Sequence, residues 1–291
     1  MKKLRRTMMF VPASNPNMMV NAPIFKPDCI IFDLEDAISL REKDSARDLI
    51  AEALKSIKYD DCEIFVRTNP LYTLFGEEDV RVLVEAGLRN VRLPMTESEK
   101  DIIQLDVLLT DIEKKLGLEE GVVKILGAIE TAKGVLNAEK IATASSRMVG
   151  ISFGAEDFTR TIGAERSKTG EELFVARSKI VLAAAAAGID AIDTVFSDID
   201  DEEGLRRETE MAKKLGFDGK SVIHPRQIEI VHDVFTPSRK DVDKALRVIN
   251  AIEEAERKGL GVISLDGKMV DAPVVARAEK TVRLAKGAGI I

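Results

Sequence analysis

The chain has 291 residues, 45% of them hydrophobic and 32% charged, a composition that excludes a disordered or fibrous protein. A formal net charge of −7, with no Trp and two Tyr, argues against a broad basic or base-stacking surface for nucleic acid. Cys29 and Cys62 form no Cys-x-x-Cys pair and read as reduced thiols of a cytoplasmic protein. The basic start, Lys2 to Arg6, runs into an apolar stretch that stops at Pro12, too short for a signal peptide. No later run is long enough to span a membrane.

Eight short apolar runs then follow one another, at residues 7–11, 29–33, 64–67, 91–93, 123–129, 148–153, 191–195 and 221–223. Nearly all contain β-branched residues and most lack a polar face, as strands do when both faces of a parallel sheet are covered. Amphipathic segments separate them, at 42–55, 77–86, 102–116, 135–144, 171–187 and 202–215. The first puts Ala46, Leu49, Ile50, Ala53 and Leu54 on one face. The last two end at Gly188 and Gly216, suitable stop residues for helices. This alternation predicts an α/β fold, a TIM (β/α)8 barrel over residues 1–236. A doubly wound open sheet is the competing arrangement. After Pro237 the texture changes. A charged helix over 241–258, a hairpin centred on Asp266-Gly267 and a last helix over 274–286 predict a C-terminal helix–hairpin–helix extension over 237–291.

Barrels of this kind carry their chemistry at the C-terminal ends of the strands. Those ends read Asp33-Leu34-Glu35-Asp36, Arg67-Thr68-Asn69, Glu130-Thr131, Gly154-Ala155-Glu156-Asp157, Asp193-Thr194 and His224-Pro225. Several carboxylates and one Arg at a common rim describe a hard-cation site beside an anion site. Mg2+ takes oxygen ligands, usually one or two carboxylates with waters and substrate oxygens, and Glu130 and Asp157 could supply the pair. The same two residues could instead cap the helices that follow them. Arg67 suits a two-pronged grip on a carboxylate, or a salt bridge to Asp33 or Glu35. His224, a lone histidine before proline, reads as structural. No Gly-x-Ser-x-Gly, phosphate-loop or dinucleotide motif is present.

Nine stretches in order carry a resemblance. They are Leu4-Arg-Arg-Thr-Met-Met-Phe-Val-Pro12, Ile31-Phe-Asp-Leu-Glu-Asp-Ala37, Val66-Arg-Thr-Asn69, Arg92-Leu-Pro94, Ala128-Ile-Glu-Thr131, Gly154-Ala-Glu-Asp157, Ala191-Ile-Asp-Thr-Val195, Gly219-Lys-Ser-Val-Ile-His-Pro225 and Gly267-Lys-Met-Val-Asp271. Together they resemble the HpcH/HpaI aldolase superfamily and, within it, the citrate lyase β subunits, over essentially the whole chain. The resemblance implies a Mg2+-dependent carbon–carbon lyase that splits a citryl thioester into oxaloacetate and an acetyl thioester. It implies Glu130 and Asp157 as the metal ligands and Arg67 as the holder of the keto-acid carboxylate. Glu130, Ile192 and Asp193 would belong to the substrate rim, and Glu35 and Asp36 would act as further acids. Asp271 would be an acid/base reaching a neighbouring subunit's barrel from the tail. Backbone N–H groups at Gly154 and Ala155 would steady the enolate oxygen.

The implied partners are an acyl carrier (γ) subunit bearing the thioester, a transferase (α) subunit and further copies of this chain. Two departures stand out. Met95 replaces the lysine usual after Leu93-Pro94, and Asn17 to Ala22 lacks the lysines that accompany free coenzyme A. A stand-alone citramalyl-CoA or malyl-CoA lyase, and a non-catalytic scaffold barrel, are the competing readings.

Overall fold

Eight parallel strands close into a barrel in chain order: β1 (Thr7–Pro12), β2 (Cys29–Asp33), β3 (Glu63–Arg67), β4 (Asn90–Leu93), β5 (Lys124–Ile129), β6 (Met148–Phe153), β7 (Asp190–Asp193) and β8 (Gly219–Val222). The structure is a computed structural model, and it describes residues 3–59, 61–257, 263–265 and 268–291. The barrel excludes the open-sheet alternative, because β1 pairs with both β2 and β8. Closure brings Thr7 opposite Lys220 and Met9 opposite Val222. A Cβ at Gly219 would collide with the Arg5 carbonyl, so the seam requires a glycine there.

The helices are α1 (Pro16–Asn21), α2 (Lys43–Ser56), α3 (Gly76–Glu85), α4 (Glu99–Leu116), α5 (Ala132–Leu136), α6 (Ala138–Ala142), α7 (Ala155–Ile162), α8 (Phe174–Ala187), α9 (Glu202–Leu215), α10 (Arg226–Phe235), α11 (Arg239–Arg257) and α12 (Ala272–Gly287). The stop signals at Gly188 and Gly216 act as expected: both are left-handed and close α8 and α9. The single helix expected over 135–144 is two short ones meeting at Asn137, which closes α5 and opens α6. α1, of 6 residues, and α7, of 8, are too short to be read from sequence. No helix among the described residues is long and apolar enough to cross a membrane.

Because side chains alternate along a strand, the barrel interior fills in layers. At the bottom, Arg5 donates two hydrogen bonds to Glu63, at 2.7 and 3.0 Å, and one to Asp190 at 2.6 Å. Met8, Cys29, Ile31, Phe65, Leu126 and Ile192 form the buried layer above. Two residues beyond Met8, Ile31, Phe65 and Ile192 come Phe10, Asp33, Arg67 and Thr194, which with Ser221 of β8 face a cavity at the top. Hydrophobic packing therefore supports a polar, charged mouth from below.

The chain divides into two compact units, residues 5–231 and residues 1–4 with 232–291. The division falls a few residues before the break expected at Pro237, within α10. In the C-terminal unit, Ala245 and Val248 of α11 pack with Val270 and with Ala278 of α12. Strands β9 (Ile263–Leu265) and β10 (Lys268–Val270) pair antiparallel, as a hairpin requires. The Asp266-Gly267 turn itself lies outside the described residues.

Candidate active site

The cavity at the C-terminal mouth of the barrel has a volume of about 340 Å³ and is bounded by Asp33, Asp36, Arg67, Arg92, Glu130 and the first turn of α7, among others. The charged groups arrive from the ends of β2, β3, β4 and β5 and from α7, and each is held by a neighbour.

Asp33 ends β2, and its carboxylate grips Arg67 with two hydrogen bonds, from Nε and Nη2, both 2.6 Å. The same carboxylate accepts the amides of Glu35 and Ala37, which fixes the turn that follows. Lys43 of α2 ties that turn down from outside by donating to the carbonyls of Leu34 and Glu35, each at 2.6 Å. Burial opposes ionisation of Asp33, but the hydrogen bonds and charge of Arg67 outweigh it and hold the carboxyl below its ordinary value. Arg67 also donates from Nη1 to Asp36 at 2.9 Å. Glu35 Oε2 lies 2.9 Å from Nη1 without accepting a hydrogen bond. Burial pushes the Glu35 carboxyl up to about 8, against the pull of Arg67 and with the charges of Glu130 and Asp36 adding to the rise. The salt-bridge reading of Arg67 therefore describes this structure, and a substrate carboxylate would compete with Asp36 for Nη1.

Glu130 is 3% exposed and follows β5. Oε1 accepts from Arg92 Nη2 at 3.2 Å, and Oε2 accepts from the Met95 amide at 3.0 Å. Met95 adopts a left-handed conformation, φ 48°, one of two positive-φ non-glycine residues among those described. At this position the backbone amide reaches the site, and that contact does not depend on the side chain that departs from the family pattern. Gly154 lies against Glu130 from the other side, and a Cβ there would sit 2.5 Å from Glu130 Cγ. Glu130 caps no helix: the cap of α5 is Thr131, whose hydroxyl accepts from the Gly134 amide.

Asp157 lies in the first turn of α7, faces the cavity and pairs with Arg160 at 2.6 Å. Among the described residues no cluster of three or more His, Cys, Asp or Glu forms a ready-made metal cage. Two carboxylates on a shared cavity, with space beside them, form an all-oxygen donor set that suits Mg2+ with waters and substrate oxygens completing its shell.

Two sequence expectations meet other surroundings in the structure. Ile192 and Asp193 do not line this cavity. Ile192 points into the buried layer beneath the cavity, and Asp193 points the other way, out of the barrel. There Asp193, 0% exposed, takes two hydrogen bonds from Arg177 and one from Lys220, locking β7 and β8 to α8. The cavity wall at this strand end is Thr194 and Val195. The amides of Gly154 and Ala155 line the cavity but are already engaged, the first with the Ile129 carbonyl at 3.0 Å and the second with Thr194 Oγ1 at 3.0 Å. The amides of Glu156 and Asp157, next along α7, have no acceptor among the described residues. Asp271 belongs to the C-terminal unit, where it caps α12 by accepting from the Val274 amide at 3.3 Å.

Sequence reasoning missed Arg92, whose guanidinium is 3% exposed at the cavity. It also missed a second cavity of about 490 Å³ along β1, α1 and the end of β8. That cavity shares Phe10, Pro12 and Ile223 with the first, and its lining contains no charged side chain. His224 lines it, and its Nδ1 accepts the Arg226 amide, in keeping with a structural role.

The citrate lyase subunit beta of Haemophilus influenzae is 52% identical to this chain over 284 residues, covering 98% of each. Among solved structures, CitE of Mycobacterium tuberculosis in complex with magnesium, acetoacetate and coenzyme A superposes with a TM-score of 0.78 at 30% identity, covering 98% of this chain and 100% of that one. A citrate lyase beta subunit complexed with oxaloacetate and magnesium, from the same organism, gives a TM-score of 0.69 at 32% identity over 81% of this chain and 99% of its own. Residues 6–225 match the HpcH/HpaI aldolase/citrate lyase family, and with the barrel, its charged mouth and these relatives, the chain belongs to that family.

Proposed function

We propose that this chain is the lyase subunit of a citrate lyase, cleaving a citryl thioester into oxaloacetate and an acetyl thioester. The observation that carries this reading is the pairing, in one cavity, of two carboxylates suited to Mg2+, Glu130 and Asp157, with two guanidinium groups, Arg67 and Arg92. The strong similarity to citrate lyase beta subunits supports the same reading. Bound Mg2+ supplies an electrophilic pull on substrate oxygens. Arg67 orients the carboxylate beside the hydroxyl-bearing carbon, with Asp33 holding the guanidinium rigid. The substrate hydroxyl passes its proton to the Asp36 carboxylate at the mouth, with the acid Glu35 beside it against Arg67. As the new carbonyl forms, the C–C bond breaks, and its electron pair forms the C=C between the α-carbon and the thioester carbon, giving an enolate with its charge on the thioester oxygen. The amides of Glu156 and Asp157 are suited to that enolate oxygen. Asp271, supplied by a neighbouring copy, returns a proton to carbon.

The thioester arm enters along the second cavity. Its uncharged lining, with Asn17 and Asn21 on α1, fits a pantetheine arm on an acyl carrier subunit better than the phosphates of free coenzyme A. The assembly then contains the carrier, a transferase subunit and further copies of this chain. Asp157→Ala or Asp271→Ala is expected to lower kcat by about 10²–10⁴ with the fold intact by circular dichroism. Turnover near wild type in either variant removes that residue from the reaction, and in Asp157→Ala it removes the metal site proposed here.

A further inference from the structure

Among the described residues that line the cavity, Arg92 is a guanidinium with buried donors left unspent. Its side chain lies on β4 beside Arg67 on β3, the two residues being register partners. Both guanidinium groups stand over the Phe10 ring, 5.2 Å away for Arg67 and 5.1 Å for Arg92. Their partners differ. Arg67 spends Nε and Nη2 on Asp33 and Nη1 on Asp36. Arg92 makes a single bond, from Nη2 to Glu130 at 3.2 Å, longer than a charge-assisted hydrogen bond prefers. Its Nε and Nη1 are buried with no acceptor among the described residues. Native interiors rarely leave a charged donor in that condition, and a buried charge without full partners is costly. The guanidinium fork matches a carboxylate.

We propose that Arg92 is a specificity-determining residue that receives the second carboxylate of the keto-acid half of the substrate. This inference rests on the lyase reading above and extends it. Arg67 would take the carboxylate next to the reacting carbon, and Arg92 the carboxylate one methylene away. A citryl thioester carries both groups. A citramalyl thioester carries a methyl group in place of the carboxymethyl group that bears the second, and a malyl thioester carries hydrogen there. A site built around a buried cation rejects a ligand that leaves the cation unpaired, so Arg92 makes the cavity prefer the citryl substrate.

The test compares kcat/KM for citryl-CoA and citramalyl-CoA, with Mg2+, in the full-length protein and in Arg92→Gln and Arg92→Lys. In Arg92→Gln the citryl value is expected to fall about 10²-fold further than the citramalyl value, so that the ratio of the two collapses. Arg92→Lys keeps a charge beside Glu130 but loses the fork, and its selectivity is expected to narrow about tenfold. It decides the matter if Arg92→Gln does not fold. A parallel fall on both substrates would overturn the proposal, because Arg92 would then serve only to position Glu130. Unchanged selectivity in both variants would overturn it as well. A wild-type protein that cleaves citramalyl-CoA and not citryl-CoA would sink the lyase reading itself, and this inference with it.

Discussion

Glu130 shows how little of a catalytic side chain's setting is written next to it in the sequence. Its holders, Arg92, the Met95 amide and Gly154, come from β4, the turn after it and the end of β6. The residue types at the strand ends were legible, because acids and one arginine interrupt apolar runs. Which partner each would choose was not, since Arg67 to Asp33 and Arg92 to Glu130 are pairings across neighbouring strands. Glu35 has the most testable environment. Its ordinary value is 4.5 and burial raises it to about 8, so the unfolded chain releases this proton first as pH rises. The fold therefore loses stability between pH about 4.5 and about 8. In EDTA, Glu35→Gln is expected to remove that decline and to melt at least about 2–4 °C above wild type at pH 9, the shift that roughly 1 kcal/mol produces in a protein of this size. Superimposable melting profiles across that pH range would show that Glu35 ionises freely.

At the scale of elements, the eight strands were readable because a strand covered on both faces is a short run of Val, Ile and Ala with few competing signals. Their two-residue alternation sorts the site from its support. Ile192 and Asp193 are neighbours in sequence, yet one fills the barrel and the other is buried outside it against Arg177 and Lys220. A motif read as a string hides this division, which explains why both were expected at the rim. α7 was missed because its first turn, Ala155-Glu156-Asp157, is mostly polar and the helix is only 8 residues long. The junction of β6 and α7 must also stay narrow. Gly154→Ala would push a methyl group into Glu130, and a misplaced ligand of about 1 Å is enough to cost on the order of 10²-fold in rate. We expect a fall of about 10–10²-fold in kcat and a higher Mg2+ concentration for half-activation, with the circular dichroism spectrum unchanged. Wild-type Mg2+ dependence in this variant would mean that Gly154 does not set the Glu130 position.

For the whole molecule, the sequence predicts a barrel over residues 1–236 followed by a tail, and the structure divides between residues 231 and 232. The cavity, both guanidinium groups and both metal-ligand candidates lie within residues 5–231, so the proposed substrate and metal groups belong to one unit. Asp271 lies in the other unit as a helix cap, a role its local sequence also predicts, and only its chemistry in the assembled enzyme can assign it more. The central claim is Mg2+-dependent cleavage of a citryl thioester at the barrel mouth. The most direct measurement follows keto-acid release from citryl-CoA, citramalyl-CoA and malyl-CoA by the purified chain, with Mg2+ or with EDTA. Oxaloacetate from citryl-CoA, abolished by EDTA and far exceeding pyruvate or glyoxylate from the other two, is the expected result. Preferential release of pyruvate or glyoxylate, or cleavage indifferent to EDTA, would contradict it.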